Sequence, residues 1–141
     1  MKTICLRFSD AYAPSKGTIQ LHQEVIDEKG FVWYGKRSNK INQKYLKEIL
    51  ENGPAKILLL KAGGTERYWA TLEDFSFEEQ SIHPSYYSEY ISDISTWLKI
   101  TKIERADDNV ADRCYTSTGK VLSSILKKTF GAYFVIDYKN E

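Results

Sequence analysis

Apolar and polar positions alternate over Thr3–Phe8, with Ile4, Leu6 and Phe8 on one side and Cys5 and Arg7 on the other. That is the period of a half-buried strand. Ser9–Lys16, with Asp10, Pro14 and Ser15, reads as a loop. Ile19, His22, Val25 and Ile26 then recur at helical spacing over Thr18–Lys29, and Gly30 stands ready as a C-cap. Phe31–Lys36 is strand-like, interrupted by Gly35 where a bulge or a ligand's close approach would sit. Asn42 is positioned to cap a helix running to Glu51, striped by Tyr45, Leu46, Ile49 and Leu50 and stopped by Asn52-Gly53-Pro54. Ile57–Leu60 is continuously apolar, as in a strand buried on both faces. With Tyr68–Phe75 it predicts a hairpin around Gly63-Gly64.

Residues 76–93 hold Pro84, Tyr86, Tyr87 and Tyr90 and read as a long ordered loop, a kind of segment that usually has a function. A strand over Ser95–Ile103, a charged turn over Arg105–Arg113, a helix over Thr118–Lys128 and a closing strand over Gly131–Tyr138 complete the chain. The order β, α, β, α, β, β, loop, β, α, β predicts an α+β fold. Its sheet would be a small curled or closed β-barrel of about six strands with flanking helices. The 141 residues contain no repeat and no linker, which implies one domain over residues 1–141.

Apolar residues make up 42% and charged residues 28%, values that exclude a disordered chain. No apolar run approaches the ~20 residues of a membrane span, and no signal-peptide pattern opens the chain. Cys5 and Cys114 are too few for a disulfide framework and read as ordinary thiols. A cytoplasmic location, with no membrane partner, is the expectation. Net charge is only +1, but its distribution is uneven. Residues 31–62 carry seven Lys/Arg and two Glu, whereas residues 73–93 carry six acids and no Lys or Arg. Residues 94–128 return to a net +3. Such blocks can form a basic face for phosphates with the acidic segment turned elsewhere, or can simply be solvated surface.

The chemistry-bearing residues are chiefly aromatic. Trp33, Tyr34, Tyr68, Trp69, Tyr86, Tyr87 and Trp97 fall in three strands and the long loop. Stacking of a base on such a ring is worth about 1–3 kcal/mol, and aromatic walls are what hold an extruded base. Alternation allows only one of Trp33 and Tyr34, and one of Tyr68 and Trp69, to face a given pocket. The competing reading is that these rings are core. Gly35 would admit a ligand near the backbone, and Lys36, Arg37, Ser38 and Lys40 follow directly, the residue types that contact phosphates. Gly63-Gly64-Thr65 lacks the spacing of a phosphate loop and reads as a turn. Two histidines (His22 and His83), two distant cysteines and no paired metal-ligand motif point to no metal, no cofactor and no catalytic residue.

The strands Phe-Val-Trp-Tyr-Gly-Lys (31–36), Ala70-Thr-Leu-Glu-Asp-Phe75 and Trp97-Leu-Lys-Ile-Thr-Lys-Ile103, in that order, resemble the PUA-like superfamily, and within it EVE-type domains, relatives of YTH readers. The resemblance spans roughly residues 31–138. It implies a small β-barrel with an aromatic pocket for a modified or flipped base in DNA or RNA. By position, Trp33, Tyr34, Gly35 and Lys36 match the pocket rim, and Tyr86, Tyr87 and Trp97 its walls. The Gly-x-Lys-x-x-x-x-Arg motif of ASCH-type relatives is not reproduced by Gly35-Lys36-Arg37. The expectation is therefore a nucleic-acid-binding module. Base-binding falls to Trp33, Tyr34, Gly35, Tyr86, Tyr87 and Trp97, and phosphate-binding to Lys36, Arg37, Ser38 and Lys40. The alternatives are a protein-interaction or antitoxin-like module and, third, a small nucleotide-directed hydrolase.

Overall fold

A computed structural model describes residues 1–53, 55–126 and 133–139. Its elements are β1 (Lys2–Phe8), α1 (Thr18–Lys29), β2 (Val32–Arg37), α2 (Gln43–Glu51), β3 (Lys56–Lys61), β4 (Arg67–Ser76), β5 (Ile94–Arg105), β6 (Cys114–Thr116), α3 (Leu122–Ile125) and β7 (Tyr133–Tyr138). Short 3-10 turns lie at Asp10–Tyr12, Ser85–Glu89, Ile91–Asp93 and Val110–Arg113.

The strands form one mixed sheet in the order β2-β5-β4-β3-β1-β7-β6. β1 and β3 are parallel and every other pairing is antiparallel. The sheet is curled but not closed: β2 and β6 are its two edges among the described residues. Its curl shows in the core. Ile4, Leu6 and Phe8 of β1 share one apolar cluster with Val32 and Tyr34 of β2, four places away in the sheet. Register shifts in β4 and β5, at Thr71/Leu72 and Leu72/Asp74, fall where such bending is needed.

Local chemistry accounts for most elements. Asn42 caps α2 by accepting from the Lys44 N–H at 2.9 Å, and Leu46 and Ile49 bury its apolar stripe. Gly30 ends α1 at φ 87°, a left-handed conformation that only glycine adopts at no steric cost. The start of α1 is capped from a distance, since Asp10 Oδ1 accepts from the Thr18 N–H. β3 is buried on both faces because the sheet has two cores. Ile57 and Leu59 join the inner cluster, while Leu58 and Leu60 join an outer one with Cys5, Cys114 and Leu122.

Two expectations differ from the structure. The sheet has seven strands. The extra one, β6, is three residues long, too short for alternation to show, and is held by pairing with β7. Among the described residues, the helix expected over Thr118–Lys128 spans only Leu122–Ile125; residues 118–121 instead form a turn that bridges Tyr115 to Val121. Residues 127–128 of that helix, Pro54, and residues 131–132 of the closing strand lie outside the described residues. No helix of the described residues is long and apolar enough to cross a membrane.

Candidate nucleic-acid interface

The burial of β2 alternates strictly, with Val32, Tyr34 and Lys36 buried and Trp33, Gly35 and Arg37 half-buried. The strand therefore splits the expected site in two. Tyr34 turns into the inner core. Trp33 turns outward, under the segment that leaves β4 at Ser76 and returns at Ile94. Its backbone N–H donates to the Ile82 carbonyl at 2.8 Å, so this segment also covers part of the free edge of β2. Trp33 packs there with Tyr87, Ile94 and Trp97. Trp97 is 1% exposed, in contact with the rings of His83 and Tyr87.

Tyr87 joins the two halves. Its ring stacks on His83, with centroids 5.2 Å apart and planes 16° apart. Its hydroxyl passes Gly35, accepts from the Gly35 N–H at 3.1 Å and meets His22 Nε2. Glycine leaves room for this passage: a Cβ at position 35 would lie 2.7 Å from Ile94 Cδ1 and 3.0 Å from Tyr87 Cε2, and both side chains would have to shift. His22 Nδ1 is 2.7 Å from the Thr18 carbonyl, which can only accept. Nδ1 therefore carries the proton and Nε2 accepts from the Tyr87 hydroxyl. Burial pushes the His22 pKa down to about 4 against the opposing pull of the Thr18 carbonyl, so the ring is neutral at pH 7. The chain of bonds from Gly35 through Tyr87 and His22 to Thr18 ties β2, the long loop and α1 together.

Beside this relay, at the C-terminal ends of β1 and β2, lies a cavity of about 350 Å³. It is lined by Tyr34, Gly35, Tyr86, Tyr87 and Tyr90, by Leu6–Phe8 of β1, by Ser9, Tyr12, Thr18 and Ala62, and by Lys36, Arg37 and Ser38. Of the ten expected site residues, seven meet here: Tyr34, Gly35, Tyr86, Tyr87, Lys36, Arg37 and Ser38. Trp33 and Trp97 instead pack in the outer cluster, because alternation sends Trp33 away from Tyr34 and the long loop covers both tryptophans. Lys40 lies outside the lining, exposed, with Nζ 5.1 Å from the centroid of Phe77. Tyr68 packs on Phe8 in the inner core, and Trp69 on Tyr138 on the outer face.

The two cations of the rim differ. Lys36 is 6% exposed, and its ammonium donates to the carbonyls of Arg37 and Asn39 at 3.0 and 2.6 Å. Burial lowers its pKa, with Asp93 pulling the other way. It clamps the loop that holds Ser38 at φ 67°, a placement unlike that of a surface phosphate contact. Arg37 sits outside, its carbon Cζ 4.4 Å from the ring centroids of both Tyr12 and Tyr90 and its Nε donating to Asp93 at 2.9 Å. Burial works against the Arg37 charge, but Asp93 outweighs it and raises the pKa. The acidic segment therefore does not wholly face away from the cations. Asp93 meets Arg37, and Glu73 pairs with Lys99.

Sequence reading missed Tyr12, Thr18 and Tyr90 as cavity residues and His22 as their anchor. A lone tyrosine in a polar loop and a histidine on an apolar helix stripe were the available signals. Among the described residues no group of three or more His, Cys, Asp and Glu could hold a metal ion.

A family model described as Pua-like matches residues 4–130. The chain thus belongs to the PUA-like family, and the curled α+β sheet fits that assignment. No curated protein and no solved structure matches it.

Proposed function

We propose that this PUA-like chain is an EVE-type nucleic-acid-binding module that takes one unstacked base into the tyrosine-walled cavity. The cavity is the observation that carries the reading. At about 350 Å³ it falls in the range of small-ligand sites. Its walls are Tyr34, Tyr86 and Tyr90, flat faces suited to a base. Family membership supports the same reading. The sugar–phosphate chain would run outside, past Arg37 and Lys40, whose side chains reach solvent. Lys36 then acts by shaping the rim loop rather than by meeting phosphate.

The test is a salt-titrated binding measurement with single- and double-stranded DNA and RNA, unmodified and with methylated bases. Binding that weakens steeply with salt is expected, and Arg37→Glu should weaken it further and flatten the slope of log K against log[salt] by about one. A protein that binds none of these at low salt is no nucleic-acid module; the exposed ring of Tyr12 and its neighbours would then belong to a protein contact.

A further inference from the structure

Resting on the base-binding reading, we propose that Tyr34 determines specificity in the cavity by donating a hydrogen bond from its hydroxyl to a carbonyl oxygen on the bound base. Tyr34 is 6% exposed, and its ring lies 5.0 Å from that of His22 in the inner core. Its hydroxyl nevertheless has no hydrogen-bond partner among the described residues, whereas that of Tyr87, from the neighbouring loop, has two. It is not sealed off either. The side-chain atoms that are both enclosed and unpartnered among the described residues are Arg67 Nε and Arg113 Nε. The Tyr34 hydroxyl therefore opens on the cavity that the residue lines.

A hydroxyl on a cavity wall with no partner in the protein is free to donate to a ligand, and a ligand that fills the cavity without an acceptor there leaves it buried and unpaired at a cost. Burial, with the phenols of Tyr86 and Tyr90 nearby, pushes the Tyr34 pKa up, so the proton is present to be donated. The rest of the lining sharpens the chemistry. Its polar residues are hydroxyl-bearing ones together with Arg7, Lys36 and Arg37, with no Asp, Glu, Asn or Gln among the described lining residues. Lysine and arginine can only donate. Where thymine and uracil present a carbonyl, adenine presents an amino donor, which cannot accept the Tyr34 proton. A base edge with a carbonyl, as in thymine or uracil, satisfies it.

The test compares wild-type protein with Tyr34→Phe on single-stranded oligothymidylate, oligouridylate and oligoadenylate, alongside thermal unfolding of both proteins without ligand. Wild type should favour the thymidylate and uridylate oligomers. Tyr34→Phe should bind them about tenfold more weakly, the loss of one hydrogen bond, with adenylate binding unchanged. Its unfolding midpoint should be equal to or above that of wild type, since no internal bond is lost. A wild-type preference for adenylate, or a variant that keeps the thymidylate preference, overturns the proposal. So does a lowered midpoint, which would reveal an internal partner for the hydroxyl. A wild-type protein that binds none of the oligomers removes the base-binding reading itself, and this inference with it.

Discussion

The two faces of β2 carry large aromatic side chains into opposite circumstances. Outward, Trp33 is covered by the 76–93 segment and packs with Trp97 and Tyr87 in a filled cluster. Inward and one residue on, Tyr34 is more deeply buried than Trp33 but keeps a hydroxyl facing open space. Residue type does not separate them, since both are flat, amphipathic rings in one strand. What separates them is the path of a distant loop, which closes over one face and only rims the other. An aromatic-rich strand thus makes core where a lid packs down, and a cavity where three elements meet without filling the space between them.

Perturbing the filled side should cost the most. Trp97→Ala removes a ring that is 1% exposed, and a loss of about 3–5 kcal/mol is expected in chemical denaturation. A loss below ~1 kcal/mol would mean that the outer cluster is not core at all.

The relay between the two sides comes next, and it is sensitive to pH. The His22 pKa is lowered from 6.5 to about 4 in the folded protein, so the unfolded chain binds the proton first as pH falls. The stabilisation is full above about pH 6.5 and is lost progressively down to pH 4, a total of about 3 kcal/mol. Urea titrations at pH 7 and 4.5 should show most of that loss. In His22→Gln, which can still donate to Thr18 and accept from Tyr87, the share due to His22 should vanish. An equal pH response in the variant would assign the loss to other groups.

Gly35→Ala probes the passage of Tyr87 between the faces. The added Cβ would press Ile94 and Tyr87, with an expected cost of about 1–3 kcal/mol and weaker nucleic-acid binding as the cavity wall shifts. The smallest effect is expected at the rim. Ser38→Gly relieves a left-handed residue and should leave stability unchanged or raised by less than ~1 kcal/mol, as a thermal melt would show.

Much of the fold was legible because its causes are local. Asn42, Gly30 and the Gly63-Gly64 turn mark their elements by short-range chemistry, and the doubly buried run of β3 announces a sheet with a core on each side. β6 and the true extent of α3 were not legible. Three residues carry no period, and α3 is a single short turn framed by a bridge from Tyr115 to Val121.

The site followed the same division. Alternation along β2 determined that Trp33 and Tyr34 could not share a pocket, and Gly35, Lys36, Arg37 and Ser38, expected beside a ligand, line the cavity. Which of the two rings faces the cavity was decided only by tertiary structure, because it depends on where the 76–93 segment crosses the sheet. The same holds for His22, which meets Tyr87 across 65 residues of sequence. It holds also for Lys36 and Arg37, adjacent cations that alternation turns to opposite faces, one into a carbonyl cradle and the other between two tyrosines. Local propensity and periodicity act within a few residues and are written in the chain. Enclosure, ion pairing and the shape of a cavity depend on what distant segments bring to the same point, and no window of sequence contains that.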